Sequence, residues 1–125
     1  MRLFDNKAIE WEDADPNHFT GNARLKRVTA VDDDPKLRVY RVEFEASART
    51  HWHTHSGVQL LYLHEGQCRF QKWGESVRVA KAGDIVHIAA NEKHWHGAGP
   101  DRKMVHIAVN INAETTWMEP VTDPQ

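Results

Sequence analysis

Hydrophobic and polar residues alternate along most of this chain with a period of two. Across residues 37–45, for example, Tyr40, Val42 and Phe44 share one face of an extended segment. Because successive side chains of a β-strand point to opposite faces, the pattern predicts a strand with these three residues inward. Further strands are predicted over residues 24–31, 67–73, 77–80 and 104–112. No helical pattern is longer than two turns.

Turn residues separate these segments at short intervals. Gly74-Glu75-Ser76 has the composition of a hairpin turn, and Gly83-Asp84 and Gly99-Pro100 mark further turns. Short strands joined in this way predict an all-β protein folded as a small β-barrel. We expect one domain, with an N-terminal arm over residues 1–23, a barrel core over residues 24–112 and a C-terminal tail over residues 113–125.

The last predicted strand, residues 104–112, has two unlike faces. Met104, His106, Ala108 and Asn110 share one face, and Val105, Ile107, Val109 and Ile111 share the other. If the more polar face lines a cavity, the aliphatic face points outward, although burial of each such side chain is worth roughly 1.5–3 kcal/mol. We therefore expect a covering partner, most simply a second copy of the chain in a homodimer or homotetramer.

Charge and composition narrow the classes of partner. The 125 residues carry a net charge of -2 without a block of basic residues, so nucleic acid is not expected as a partner. No apolar run approaches the roughly 20 residues of a membrane helix, and the acidic N-terminus is unlike a signal peptide. The single cysteine, Cys68, fits a reducing cytoplasm. We expect a cytoplasmic protein whose partner is a small molecule.

Histidines are concentrated in one part of the chain, since eight of the nine fall between residues 51 and 106. His53 and His55 share a strand face and can direct two imidazoles to one point. Gln59 can rejoin that face and add an oxygen, and His94, after a polar turn, can supply a third imidazole. Such a donor set suits divalent manganese, iron, cobalt, nickel or zinc. Because Gln59 is neutral, the ion would keep its full charge as a Lewis acid.

Two motifs in this region resemble those of the cupins, which are jelly-roll barrels. His53, His55, Gln59 and Gly66 match the first motif, and Gly83 and His94 match the second. The resemblance implies a cupin barrel with His53, His55, Gln59 and His94 as metal ligands. The chain departs from the pattern with Ser47 and Asn91 for glycines, Ala89 for proline, Ala98 for asparagine and Gln59 for the usual glutamate.

Residues 40–123 more closely resemble the small cupin hydroxynitrile lyases, which use manganese or iron to cleave an α-hydroxynitrile into an aldehyde and hydrogen cyanide. The resemblance implies that His106 acts as the acid/base. An unligated imidazole beside a dication would have a lowered pKa and could act as a base near neutral pH. The substrate pocket is expected to include Tyr40, Val42, His96, Ala108 and Asn110. Tyr40 replaces a small residue of those lyases, and Asn110 replaces a longer glutamine.

Three functions remain open at this point. The first is a metal-dependent lyase with His106 as acid/base, acting on a mandelonitrile-like or related hydroxy-carbonyl substrate. The second is an Fe(II) dioxygenase, although Gln59 removes the carboxylate of the usual facial triad. The third is a non-catalytic sensor or binding module in which the metal is structural. Manganese or iron is the expected ion, with zinc, nickel or cobalt as alternatives.

Overall fold

Two antiparallel β-sheets face each other in the computed structural model, which describes residues 1–122. In chain order the strands are β1 (Glu12–Asp13), β2 (Phe19–Thr20), β3 (Ala23–Val31), β4 (Leu37–Phe44), β5 (Arg49–Thr50), β6 (His53–His55), β7 (Val58–Glu65), β8 (Gln67–Lys72), β9 (Arg78–Lys81), β10 (Ile85–Ile88), β11 (His94–Ala98), β12 (Met104–Ile111) and β13 (Thr115–Trp117). One 3₁₀ turn, Asn6–Ala8, precedes them.

The order of the strands within the sheets is that of a jelly roll. The six-stranded sheet runs β1-β3-β4-β12-β7-β10, and the seven-stranded sheet runs β13-β6-β11-β5-β2, with β8 paired to β11 and β9 paired to β8. The chain therefore crosses repeatedly between the sheets. This architecture confirms the predicted all-β jelly-roll barrel. Residues 1–122 contain no helix that is long and apolar enough to span a membrane.

The two inner faces pack into one core. Phe44, Leu61, Leu63 and Met104 are fully buried there. Cys68 is also fully buried, and burial raises the pKa of its thiol to about 12. A protonated, enclosed thiol is a packing residue rather than a nucleophile.

Strand β12 lies in the middle of the six-stranded sheet, between β4 and β7. His106, Ala108 and Asn110 are buried on its inner face, as the alternation predicts. Val105 is paired with Glu43 of β4, so it lies on the outer face as predicted, although it is only 2% exposed. The register against β7 shifts between Val105 and His106, and the extra residue of this bulge is His64 of β7.

The outer face of the six-stranded sheet carries a continuous aliphatic surface, which we call the aliphatic outer face. Val109 lies between Val39 of β4 and Leu60 of β7, and Ile107 lies beside Tyr62, which is 45% exposed.

We predict that this face pairs with a second copy of the chain, so that Val109→Lys shifts the assembly toward monomer. Light scattering after size-exclusion chromatography measures the mass. Val79→Lys, at a 58% exposed valine on β9, is the matched control; monomeric wild-type protein would contradict the prediction.

Both terminal segments join the sheets. In the predicted arm, β1 pairs with β3 and β2 pairs with β5, while β13 of the predicted tail pairs with β6. The last three residues of that tail, 123–125, lie outside the described residues. The two terminal segments therefore contribute side chains next to the histidine-rich strand β6.

Candidate metal centre

The histidines of the first and second motifs meet on neighbouring strands of one sheet. His53 of β6 is paired directly with His94 of β11, and their ring centroids are 4.2 Å apart. The ring of His55 is 5.0 Å from that of His53 and 5.3 Å from that of His94. All three side chains are at most 4% exposed. The alternation that places His53 and His55 on one face therefore also brings them to His94.

Gln59 reaches the same place from the opposite sheet. The expectation that it rejoins the face of the histidine strand was wrong, because it lies on β7 of the six-stranded sheet. The chain crosses between the sheets at Gly57, where a Cβ would lie 2.1 Å from the carbonyl oxygen of Ile111. Gln59 Oε1 is 3.1 Å from His55 Nε2, and Gln59 Nε2 donates a hydrogen bond to Asn110 Oδ1 at 2.8 Å.

Two motif positions at which the cupin pattern has glycine keep a glycine-like backbone here. Ser47 and Asn91 both have φ of 67°, in the left-handed region. Asn tolerates this conformation well, and Ser adopts it at some cost. The turn at Asn91 is tied to the centre, since Asn91 donates its backbone N–H to the carbonyl oxygen of His55. These departures from the pattern therefore leave the loop geometry in place.

Hydrogen bonds at Nδ1 determine which ring nitrogens face inward. His53 Nδ1 and His94 Nδ1 donate to the carbonyl oxygens of His51 and Glu92, each at 2.8 Å. Since a carbonyl can only accept, the neutral rings present the lone pair of Nε2 to the cavity. His55 Nδ1 is 2.9 Å from Thr115 Oγ1, which can accept in the same way. In all three imidazoles Nε2 is therefore the nitrogen that can offer a lone pair.

One pair of donor atoms in the predicted ligand set has the spacing of ligands on one metal ion. Ligands at right angles around an ion, with bonds of about 2.1 Å, are about 3 Å apart, close to the separation of His55 Nε2 and Gln59 Oε1. Within residues 1–122, the buried Nε2 atoms of His94 and His96 have no hydrogen-bond partner. An unsatisfied buried polar atom costs about 1–3 kcal/mol, which a bound ion would offset.

His96 introduces a second possible ligand set. Among residues 1–122, the group of three or more His, Cys, Asp or Glu side chains whose ligand atoms all lie within 4.8 Å of one another is His53, His94 and His96, so this trio fits an ion and His55 lies outside it. His96 was expected in the pocket and not among the ligands. Its Nδ1 is 3.0 Å from His106 Nε2, so the N–H of one of these two rings donates a hydrogen bond to the other ring. His53 and His94 belong to both sets, which differ in whether His55 with Gln59 or His96 completes the site.

A cavity of about 410 Å³ opens from this cluster. Each predicted pocket residue lines it, namely Tyr40, Val42, His96, Ala108 and Asn110, and so do His53, His55, Gln59 and His106. His94 does not line this cavity and instead borders a second cavity of about 280 Å³. The volume of the first cavity is in the range that holds a small organic ligand.

Sequence reasoning missed several residues of this cavity, most of them from the terminal segments. The missed residues on the cavity wall are Glu12, Asp13, Asp15, His18, Phe19, Leu25, Phe44, Thr50, Thr115 and Trp117. Trp117 packs on His53 with centroids 4.6 Å apart, and His18 stacks on Trp117 at 4.3 Å. Aromatic residues near the chain ends were the only sequence signal for these contacts.

The hydroxyl of Thr115 is expected to strengthen metal binding by orienting His55. Thr115→Val keeps the shape of the side chain but removes the only side-chain partner of His55 Nδ1 among residues 1–122. Loss of such an outer hydrogen bond lowers metal affinity about tenfold or more. A competition titration with a chromophoric chelator measures the change. Thr116→Val, at the neighbouring exposed threonine, is the control, and equal affinities for the three proteins would contradict the prediction.

Burial makes the metal-free cluster sensitive to acid. Burial lowers the pKa of His106 to about 4, and burial followed by repulsion from His94 lowers that of His55 to about 4. Burial also lowers the pKa of His53 and His96 well below the usual range. Neutral imidazoles are the form that binds metals.

The metal-free protein is expected to lose stability as the pH falls from about 6.5 to about 4. In this window the unfolded chain binds protons that the buried imidazoles of the folded chain do not bind. Each such histidine therefore lowers the free energy of unfolding by about 1.4 kcal/mol for each pH unit of the fall. Urea unfolding of chelator-treated protein at several pH values measures the slope of the unfolding free energy against pH. His106→Leu should reduce this slope by the contribution of about one proton, which is about 1.4 kcal/mol per pH unit. A free energy of unfolding that does not change with pH here would be inconsistent with this.

Comparisons with known proteins agree on the family and the fold of this chain. The family model described as "Cupin domain" (Cupin_2) matches residues 40–110. An (R)-mandelonitrile lyase of Granulicella tundricola is 38% identical over 110 residues, which are 86% of this chain and 84% of that protein.

Solved structures agree with the family match. A cupin-like protein of Thermotoga maritima has a TM-score of 0.83 and 38% identity, over 89% of this chain and 86% of that one. A polyketide cyclase of Streptomyces resistomycificus, with a TM-score of 0.78 and 15% identity over 100% of this chain and 88% of its own, shares the fold alone. These matches confirm the resemblance drawn from the two histidine motifs, and the chain belongs to the Cupin_2 family.

Proposed function

We propose that this protein is a metal-dependent lyase that cleaves or forms a small α-hydroxynitrile such as mandelonitrile. The observation that carries the proposal is that the cluster of His53, His55, His94 and Gln59 borders the cavity that the separate, buried imidazole of His106 lines. The similarity to an (R)-mandelonitrile lyase over most of both chains supports the choice of reaction.

His53, His55, Gln59 and His94 would hold the ion, with Mn²⁺ or Fe²⁺ as the first choice and Zn²⁺, Ni²⁺ or Co²⁺ as alternatives. When bound, a divalent ion supplies Lewis-acid stabilisation for negative charge that develops on the substrate oxygen. All four protein donors are neutral, so none of them reduces the charge of the ion. The hydrogen bond from Gln59 Nε2 to Asn110 keeps the amide oxygen of Gln59 directed at the site.

His106 is placed to move the substrate proton. If His106 Nε2–H donates to His96 Nδ1, the lone pair of His106 Nδ1 is free, and this atom has no other partner within residues 1–122. In cleavage it accepts the hydroxyl proton while the carbonyl forms and the carbon–carbon bond to the nitrile breaks. The electron pair of that bond leaves with cyanide, and the imidazolium returns the proton to give hydrogen cyanide. In synthesis the same steps run in reverse.

The rest of the cavity suits an aromatic or aliphatic carbon skeleton. Phe19, Phe44 and Trp117 contribute aromatic surface, and Leu25 and Val42 contribute aliphatic surface. Packing a ring against this wall excludes water from the reacting carbon and orients its hydroxyl toward His106. Tyr40 of β4 and Asn110 of β12 also line this space, so they limit the size of the substituent that fits.

The deciding experiment is cleavage of mandelonitrile by protein loaded with Mn²⁺ or Fe²⁺, with and without oxygen. We expect benzaldehyde to form at equal rates in air and under anaerobic conditions, and the rate to return to background after chelation. Stoichiometric oxygen consumption with iron would favour the dioxygenase instead. Tight binding of aromatic aldehydes without turnover would favour a ligand-binding module.

A further inference from the structure

The mouth of the cavity is acidic. Glu12, Asp13 and Asp15 line it, whereas no lysine or arginine does so among residues 1–122. The nearest ionic partner of these carboxylates in that part of the chain is His18, whose Nδ1 is 3.8 Å from Asp15 Oδ2. Arg24, which is paired across the strands with Asp13, is instead bonded to Glu43. The carboxylates at the mouth therefore keep most of their negative potential.

The strand register connects this acidic mouth to the proposed acid/base. Glu12 lies opposite Leu25, Leu25 opposite Val42, and Val42 opposite His106. Residues that are directly opposite in antiparallel strands point to the same face, so these four side chains form one row across the cavity wall. At about 4.8 Å per strand, the two ends of the row are about 14 Å apart.

The row changes character from one end to the other. Its inner end is the imidazole of His106, which is fully buried and has an unpartnered Nδ1. Its middle, Leu25 and Val42, is apolar and faces the aromatic side chains of Phe19 and Trp117 across the cavity. Its outer end is the exposed carboxylate of Glu12. A complementary ligand has a hydroxyl group at one end, an apolar body and a positive charge at the other end.

We propose that the cavity selects elongated aromatic alcohols and hydroxynitriles that carry a cationic group at the end remote from the hydroxyl. This inference names the substrate class of the cavity and therefore rests on the proposed function. Glu12 and Asp15 determine the selectivity by attracting the cationic end, and the apolar row holds the body between them and His106. A ligand with a negative charge at the same end is repelled at the mouth.

The test uses two para-substituted benzyl alcohols of the same shape, one ending in a trimethylammonium group and the other in a tert-butyl group. Their dissociation constants are measured by calorimetry on Mn²⁺-loaded protein, and the readout is the ratio of the two constants. Because the desolvation of each ligand is common to all variants, a change in the ratio reports the electrostatic preference. We expect Glu12→Gln/Asp15→Asn to reduce the preference for the cation about tenfold.

A matched variant, Asp34→Asn/Asp101→Asn, removes the same charge from exposed positions that do not line the cavity. It should leave the ratio within about twofold of wild type, because screening weakens distant charges. Raising the salt from about 10 mM to about 1 M should reduce the wild-type preference and not that of the Glu12/Asp15 variant.

An unchanged ratio in the Glu12/Asp15 variant, or an equal fall in the control variant, would overturn the proposal. Neither alcohol carries a nitrile, so binding is measured without turnover. A protein that binds the cationic alcohol selectively but does not cleave mandelonitrile would refute the lyase and retain the acidic selectivity. A protein that cleaves mandelonitrile but shows no preference for the cationic alcohol would support the lyase and refute the acidic selectivity.

Discussion

Replacing His53 with alanine is expected to abolish stoichiometric metal binding and reduce lyase activity to background. His53 belongs to both possible ligand sets, is 1% exposed, and packs against the rings of His94, His55 and His96. A solvent molecule cannot readily replace an imidazole at so enclosed a position. Loss of one of three imidazoles should therefore lower metal affinity at least about a hundredfold.

Elemental mass spectrometry on untagged protein, together with a chelator competition titration, measures this loss. His87→Ala, which removes an exposed histidine from β10, is the control and should retain the metal. Near-stoichiometric metal in His53→Ala would place the ion elsewhere and remove the basis of the proposed function.

The same measurement separates the two ligand sets. If His55 and Gln59 complete the site, His55→Ala and Gln59→Ala lose metal while His96→Ala retains it. If His96 completes the site, the order reverses. The short distance between His55 Nε2 and Gln59 Oε1 favours the first result, whereas the close grouping of His53, His94 and His96 and the unpartnered Nε2 of His96 favour the second.

Replacing His106 with glutamine is expected to lower kcat by about 10²–10⁴-fold while leaving the metal content unchanged. Glutamine keeps a donor that can reach His96 but cannot accept and return a proton. His106 is completely buried against Phe44 and His96, so His106→Leu provides a second variant of similar volume without any polar atom.

Kinetics at saturating metal, together with metal content and thermal unfolding, measure the effect. Full activity in a folded, metal-loaded His106→Gln protein would exclude His106 as the acid/base. Loss of metal in the same variant would show that His106 acts through His96 as a ligand, which would favour the second ligand set.

Local patterns in the chain were sufficient for several of these features. Side-chain alternation placed His53 beside His55, and the same rule placed His106, Ala108 and Asn110 on the inner face of β12. The motif spacing identified His94 as the third imidazole in the cluster. These features depend on the period of a strand and on the identity of nearby turn residues, which are properties of short segments.

Contacts between distant segments could not be obtained in this way. Gln59 comes from the opposite sheet, because the chain crosses at Gly57 and the two sheets then face each other. The hydrogen bond between His96 and His106 joins β11 to β12 across the barrel. Nothing in the segments around these residues specifies which inner faces will meet, since that depends on packing of the whole core.

Sequence alone was therefore enough for the all-β class, the cupin family, the histidine pair and the polar face of the closing strand, because strand periodicity and motif spacing are encoded locally. Only the folded chain revealed that Thr115 and Trp117 support the histidines and that Glu12 closes a row ending at His106. Those contacts depend on the register between strands far apart in the chain. Burial of the whole core decides that register, since a slip by one residue would expose its apolar side chains to water.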